Sequence, residues 1–218
     1  MINKKIIYLI SIIILFFSFK IFANLNIKLP FSSGEKFYLT QGYDTGTHIN
    51  KDTYALDLSQ NGCDAYGKKV VAVADGIIRK AGNLEKTYGF FVDVSHGDFI
   101  GRYAHLKEFI VNKDDLVKQG QVLGYIGNTG LKISSGACPE YPGTHLHFRA
   151  TKILENGTEV AYKPEPISGY TNLMAGNWYT SDNHLAKIES PVVSEEKKQG
   201  WFSKLWSNLK QVFRKTGD

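Results

Sequence analysis

The chain has 218 residues, which is enough for one domain with a hydrophobic core and additional segments. Its formal net charge is +5, but three lysines and no acidic residue lie in residues 1–23, so the rest of the chain carries +2. Such a small excess does not indicate a nucleic-acid-binding protein, whereas the 12 tyrosines and 13 phenylalanines favour β-structure.

Residues 1–23 have the three parts of a secretory signal peptide. Lys4 and Lys5 form the positive part, residues 6–19 the apolar part, and Ile21-Phe22-Ala23 a cleavage site. The apolar part is shorter than the roughly 20 residues that span a bilayer. The protein is therefore expected to be exported, to the periplasm or to the outside of the cell. An uncleaved membrane anchor is the alternative, because isoleucine fits the start of the cleavage motif less well than alanine.

Residues 37–166 are predicted to form one all-β domain, preceded by a loosely held arm at residues 24–36. Alternating apolar residues and turn residues favour strands, and no long helical periodicity occurs before residue 200. The predicted strands are Lys36–Tyr43, Tyr54–Leu58, Val70–Val73, Gly76–Ile78, Phe90–Ser95, Ile100–His105, Val122–Ile126 and Thr144–Thr151. Asn156-Gly157 predicts a hairpin turn that leads back to Val160.

The last long strand carries two histidines, His145 and His147, that alternate with Leu146 and Phe148. Because residues i and i+2 of a strand project to one face, both histidines are expected to face one cavity. Three upstream residues are also of the type that binds metals: His48, Asp57 and His105. Together they predict a site with two histidines and one carboxylate for a metal ion and two further histidines for chemistry. Each residue alone also fits a structural or solvent-exposed role.

Cys63 and Cys138 are the two cysteines of the chain. In an exported protein such a pair most often forms a disulfide. Cys63 follows Asp57 by six residues and Cys138 precedes His145 by seven, so a bridge would join two loops beside the predicted cavity. Zinc ligation, which lacks the Cys-x-x-Cys spacing, and two free thiols are the alternatives.

Several short motifs occur in the same order as in one known family. They are Gly42–Asp57, Tyr103–Leu106, Val117–Gly124, Gly127–Gly130 and Thr144–Phe148. In these segments residues 37–166 resemble the lysostaphin/LytM-type zinc metallopeptidases, which are peptidoglycan endopeptidases. The resemblance implies an antiparallel β-sheet catalytic domain of the duplicated hybrid motif type. The chain departs from the family in the insertion Cys138–Pro142, which precedes the double histidine.

The resemblance also implies the roles of the site residues. One Zn²⁺ ion would be bound by His48, Asp57 and His147, and a zinc-activated water would hydrolyse peptide cross-links of peptidoglycan. His105 and His145 would be the two active-site histidines that are not ligands, one the base and one the stabiliser of the oxyanion, in an order that the sequence leaves open. The cross-link could join D-alanine to meso-diaminopimelate or be a glycine bridge.

Two other function classes are alternatives to this one. The first is a non-catalytic wall-binding or regulatory domain of the same fold, which could control another cell-wall hydrolase. The absence of a metal ligand would favour this alternative, but the chain has all three proposed ligands. A biotinyl- or lipoyl-carrier barrel requires a modifiable lysine at a hairpin tip. Residues 71–76 have no lysine there, which excludes the carrier.

The C-terminal part is predicted as an extension at residues 167–190, a polar linker at 191–199 and an amphipathic helix at 200–215. At about 100° per residue, the apolar side chains of this helix fall within one arc of roughly 140°. Its basic residues lie on the other side. The apolar face could bind an anionic membrane surface, dock on the catalytic domain or bind another protein.

Overall fold

The computed structural model describes residues 26–131 and 136–186. The predicted signal peptide, linker and amphipathic helix lie outside the described residues, and their assignments stay predictions. Among the described residues, no helix has the length and apolar character needed to cross a membrane.

The described residues form β-strands joined by turns and one short 3₁₀ turn, which confirms the all-β prediction. All pairs between these strands are antiparallel. In chain order the elements are β1 (Lys36–Gln41), the 3₁₀ turn (Asn50–Asp52), β2 (Leu56–Ser59), β3 (Lys69–Val71), β4 (Gly76–Leu84), β5 (Gly89–Ser95), β6 (Ile100–Phe109), β7 (Leu116–Val117), β8 (Val122–Ile126), β9 (Leu146–Ile153), β10 (Glu159–Tyr162) and β11 (Trp178–Thr180).

Each predicted strand corresponds to an observed one, but β7 and β11 were not predicted. Both are only two or three residues long, which is too short for a period-2 pattern to show. β4 extends six residues beyond the predicted Ile78, because its second half is polar and exposed and is held by pairing with β5. The predicted turn at Asn156-Gly157 joins β9 to β10, and Gly157 has the positive φ of 81° that such turns require.

The strand order β11-β1-β2-β9-β6-β5-β4-β7 places β2, β9 and β6 side by side. Asp57 of β2 lies opposite His147 of β9, and Ala104 of β6 lies opposite the same histidine. Leu146 and Phe148 point the other way and are fully buried in the core. The pairing register therefore brings residues from distant parts of the sequence to one face of the sheet.

The N-terminal arm is not loosely held within its described part, which corrects that expectation. Ile27, Leu29 and Phe31 are buried, and Phe31 stacks on Phe37 with ring centroids 3.5 Å apart. The arm is extended: the Lys28 amide donates to a carbonyl in the β3–β4 connection at 2.9 Å. Pro30 and the Ser-Ser-Gly stretch after Phe31 obscured this alternation of apolar residues in the sequence.

The C-terminal extension packs against this arm. The Asn183 side-chain amide donates to the carbonyls of Leu29 and Ala72, and the Ser181 hydroxyl donates to the carbonyl of Phe31. β11 pairs with β1 as the next strand of the sheet. The sheet and its core therefore continue on both sides of the expected boundaries at residues 37 and 166.

His96 is buried in the turn between β5 and β6. Its Nδ1 donates to the Asp75 carbonyl at 3.0 Å, and its Nε2 accepts from the Tyr103 hydroxyl at 3.2 Å. The Tyr103 oxygen in turn accepts from the Val73 amide at 3.0 Å. Every polar atom in this series of hydrogen bonds has a partner only when His96 is neutral. A second ring proton, on Nε2, would point at the Tyr103 hydroxyl, which already donates its own proton to Nε2.

We expect the free energy of unfolding to fall as the pH drops from about 6.5 to about 4, because of His96. Burial lowers the pKa of His96 to about 4, although its hydrogen bonds to the Asp75 and Ala74 backbone oppose this. Between the two pKa values the unfolded chain binds a proton that the folded protein does not, so stability is lost as the pH falls. The loss should be about 3 kcal/mol.

Urea unfolding of the wild type and of His96→Gln at several pH values measures this effect. All other titrating groups are common to both proteins, so the difference between the two pH slopes isolates His96. Equal slopes in the two proteins over this pH range would contradict the assignment.

Candidate metal centre

The five predicted site residues come together on one face at the centre of the sheet. Asp57 projects from β2, His147 from β9 and His105 from β6. His145 lies immediately before β9, and His48 lies in the loop between β1 and β2. His105 and His145 are edge to face, with ring centroids 4.7 Å apart.

His105 owes its position to an irregularity in β6. Ala104 and His105 together oppose one residue of β5, so the strand has a β-bulge there. His105 has a φ of 59°, in the left-handed region that a residue other than glycine rarely adopts. Its carbonyl accepts from the Gly127 amide at 3.0 Å and its amide donates to the Tyr88 carbonyl at 2.8 Å. These bonds hold a strained backbone that aims the imidazole at the other histidines.

Three atoms of these side chains are placed as the ligands of one metal ion would be. One atom each from His48, Asp57 and His147 lies within 4.8 Å of the other two. Asp57 Oδ1 is 3.1 Å from His48 Nε2 and 2.9 Å from His147 Nδ1. Ligand atoms of a tetrahedral zinc ion with bonds of about 2.1 Å lie about 3.4 Å apart, so the set needs little adjustment to bind one.

The hydrogen bonds of the rings indicate which nitrogens carry protons. Nδ1 of His48, His105 and His145 each lies 2.6–2.9 Å from a backbone carbonyl oxygen. A carbonyl only accepts, so each Nδ1 is the donor and the neutral ring keeps its lone pair on Nε2. His147 differs, because it lies between two carboxylates: its Nε2 is 3.2 Å from Asp52 Oδ1 and its Nδ1 is 2.9 Å from Asp57 Oδ1. Only the tautomer with the proton on Nε2 leaves a lone pair on Nδ1.

With the His147 proton on Nε2, three acceptors face one another, because Asp57 Oδ1 and the ligand nitrogens of His48 and His147 all carry lone pairs. His48 Nε2 is buried and has no hydrogen-bond donor. Buried acceptors about 3 Å apart repel unless a cation lies between them. Two neutral imidazoles and one carboxylate, with a fourth position open, are the donor set of a catalytic zinc site. The residues therefore fit a zinc ion.

The environment of the site lowers the pKa values of Asp57, His105 and His145, so the carboxyl is ionised and these two histidines are neutral. Burial would raise the pKa of Asp57, but the neighbouring His147, His48 and His145 outweigh burial and hold that pKa well below its usual range. Burial, together with the neighbouring histidines, lowers the pKa of His105 to about 3. Burial also lowers the pKa of His145, against the attraction of Asp57. Both histidines are thus neutral near pH 7 and able to accept a proton.

Residues 59–162 match Peptidase family M23. The domain belongs to that family. The matched residues of the M23 domain include His105, His145 and His147, whereas His48 and Asp57 precede them and join the site through the pairing of β2 with β9.

The relatives of the M23 domain include an activator and an endopeptidase. The chain is 30% identical over 100 residues to the murein hydrolase activator NlpD of Salmonella dublin, which covers 45% of this chain and 24% of NlpD. It is 32% identical over 161 residues to the glycyl-glycine endopeptidase ALE-1 of Staphylococcus capitis, which covers 68% of this chain and 39% of ALE-1. The chain thus spans well under half the length of either relative.

Among solved structures, the M23 domain is similar to the catalytic domain of the antimicrobial peptidase lysostaphin from Staphylococcus simulans. The TM-score is 0.40 and the sequence identity is 26%. The similarity covers 58% of this chain and 87% of the lysostaphin chain.

A cleft of about 520 Å³ opens beside the candidate metal centre of the M23 domain. Asp57 and His145 line one part of it, and neutral polar side chains, among them Tyr38, Gln41 and Gln60, line another. The predicted disulfide is present: Cys63 and Cys138 are bonded and join the loops at the rim. The same loops are also joined by stacked tyrosines with ring centroids 3.6 Å apart.

Three residues behind His147 were not identified from the sequence. Asp52 lies in the 3₁₀ turn, Tyr88 in the β4–β5 turn and Arg149 in β9. The signal for Arg149 was its place two residues after His147, which puts both on one face of the strand. Asp52 follows His48 by four residues in a polar loop, which is a weak signal, and nothing in the local sequence marks Tyr88.

Proposed function

We propose that the protein is an exported zinc metalloendopeptidase that hydrolyses peptide cross-links of peptidoglycan. The observation that carries the proposal is the meeting of three possible ligand atoms, from His48, Asp57 and His147, beside two neutral histidines that are not needed as ligands. Family membership supports the same chemistry, because the M23 domain contains three of these five residues.

His48, Asp57 and His147 would hold the zinc ion. Zinc bound there would supply a Lewis acid that makes water a nucleophile near neutral pH. The backbone carbonyl that accepts from His48 Nδ1 fixes the ring so that Nε2 stays available as a ligand.

His105 and His145 would handle the proton and the developing negative charge. Peptide hydrolysis requires a base that takes a proton from the attacking water and donors that stabilise the oxyanion. Each ring is neutral, and each donates its Nδ1 proton to a backbone carbonyl, at 2.9 Å for His105 and 2.6 Å for His145. Each Nε2 can therefore accept a proton, after which the imidazolium can donate to an oxyanion.

The cleft supports a peptide as the substrate. It leads directly to Asp57 and His145, and the hydroxyl and amide groups of Tyr38, Gln41 and Gln60 can hydrogen-bond to the backbone of an extended peptide. Export is supported by the signal-like residues 1–23 and by the disulfide, since disulfides persist in oxidising compartments.

We expect residues 24–218, loaded with zinc, to release muropeptides from purified peptidoglycan. Two substrates, one cross-linked through D-alanine and meso-diaminopimelate and one through glycine bridges, would identify the bond by mass analysis of the products. A chelator should reduce the release to background, and added zinc should restore it, because hydrolysis depends on the metal. Release that survives complete removal of the metal would refute the mechanism.

The similarity to NlpD, a murein hydrolase activator, favours a second candidate, in which the domain regulates another wall hydrolase. The same assay separates the two functions. An activator would release nothing by itself from either substrate, and it would increase the release by a separately purified wall hydrolase.

A further inference from the structure

Asp52 lies directly behind the proposed ligand His147. Its Oδ1 is 3.2 Å from His147 Nε2, on the side of the ring away from Asp57. Its Oδ2 accepts from the Tyr88 hydroxyl at 2.6 Å, and Arg149 Nε lies 3.4 Å from Oδ1. The Asp52 side chain is only 18% exposed, so these contacts are largely shielded from water.

The local fold holds Asp52 in this place. The 3₁₀ turn that carries it is closed by the Asp52 amide, which donates to the Ile49 carbonyl at 3.0 Å. The same loop carries His48 two residues before the turn begins. Arg149, which is buried in β9, contacts Asp52 on one side and Glu159 of β10 at 3.2 Å on the other. The proposed ligand His48 and the carboxylate of Asp52, which lies behind the ligand His147, thus come from one loop.

When the His147 ring is neutral, two carboxylates compete for its single proton. If the proton is on Nε2, it is donated to Asp52, and Nδ1 keeps the lone pair that a metal ion needs. If the proton is on Nδ1, it is donated to Asp57 Oδ1 at 2.9 Å. His147 Nδ1 and Asp57 Oδ1 are then hydrogen-bonded to each other, and Nδ1 has no lone pair for a metal ion. Whether the site can bind zinc therefore depends on which carboxylate receives the proton.

We propose that Asp52 is a positioning residue that keeps the proton of His147 on Nε2 and so presents Nδ1 to the zinc ion. Tyr88 and Arg149 keep the Asp52 carboxylate in place for this role. The inference rests on the zinc centre of the proposed function and requires no hydrolysis. Carboxylates that accept from the far nitrogen of a ligand histidine typically change metal affinity by about 10–100-fold when they are removed.

The first test is the position of the proton in the metal-free protein. Burial would lower the pKa of His147, but Asp52 and Asp57 outweigh it and raise that pKa. The ¹⁵N chemical shifts of His147 are therefore followed to the high pH at which the ring has lost its second proton, where they distinguish the two tautomers. We expect the proton on Nε2 in the wild type and a shift towards Nδ1 in Asp52→Ala. A merely structural contribution of Asp52 would not move this proton.

The second test is the affinity for zinc alone, measured by competition with a chromophoric chelator. We expect Asp52→Ala to bind zinc about 10–100-fold more weakly than the wild type. Asp52→Asn, which keeps an oxygen that can accept from Nε2, should recover part of that loss. Asp98→Ala is the matched control at the exposed β5–β6 turn and should bind zinc as the wild type does.

Tyr88→Phe keeps the test decisive if Asp52→Ala does not fold. It removes the hydroxyl that donates to Asp52 Oδ2 and keeps the ring, so we expect a smaller loss of zinc affinity, of several-fold, in a folded protein. The inference would be overturned if folded Asp52→Ala binds zinc with wild-type affinity and keeps the His147 proton where the wild type has it. If only Tyr88→Phe folds, the same result in that variant would overturn it. A wild type that binds no zinc would instead refute the metal centre itself.

Discussion

Asp57→Ala and His147→Ala are expected to lose both zinc binding and wall hydrolysis, whereas His105→Ala and His145→Ala should bind zinc and lose turnover. Asp57 contributes the one negative charge among the three ligand atoms, and its Oδ1 lies within 3.1 Å of both ligand nitrogens. Removing it leaves two imidazoles that cannot by themselves retain the ion. Loss of one proton-transferring histidine should lower kcat by about 10²–10⁴-fold.

Metal content by mass spectrometry, zinc affinity by chelator competition and muropeptide release measure the two effects separately. His184→Ala is a suitable control, because His184 is exposed and lies in the C-terminal extension. It should keep both zinc and activity. A wholesale loss of zinc from His105→Ala or His145→Ala would show that the division between ligands and proton-transferring histidines is wrong.

The double variant Cys63→Ala/Cys138→Ala is expected to unfold about 4 kcal/mol more easily than the wild type, in the chain-entropy model of a long cross-linked loop. The two cysteines are 75 residues apart, so the bridge restricts much of the unfolded chain. For a domain of this size the loss corresponds to a Tm lower by about 8–16 °C. Thermal and urea unfolding, with and without a reductant, measure it.

A reductant should destabilise the wild type and leave the double variant unaffected, which ties the loss to the bridge. The zinc affinity of the variant should be unchanged, because neither sulfur is a proposed ligand. Two thiols that react with an alkylating agent, in protein recovered from its own compartment without reduction, would contradict the disulfide.

Several features of this domain are decided by short stretches of sequence. The alternation of Leu146, His147 and Phe148 predicts a strand with its histidines on one face, and the structure has that strand with Leu146 and Phe148 buried on the other. Asn156-Gly157 predicts a turn because a glycine tolerates positive φ, and the turn is present. Side-chain periodicity and backbone sterics are local properties, so the sequence alone suffices for them.

Other features follow only from the packing of the whole chain. Asp57 alone could equally be a solvated strand residue, and only the pairing of β2 with β9 places it opposite His147, 90 positions later in the sequence. Asp52 and Tyr88 meet behind that histidine because a loop and a distant turn pack at the same place.

The sequence by itself determined the all-β class, the facing of the double histidine and the residue types of the proposed zinc site. The tertiary structure decided that these residues share one centre and that the N-terminal arm and β11 complete the sheet. The physical reason is that strand pairing joins residues far apart in the sequence. Its register depends on the free energy of the whole buried core, which no single segment encodes.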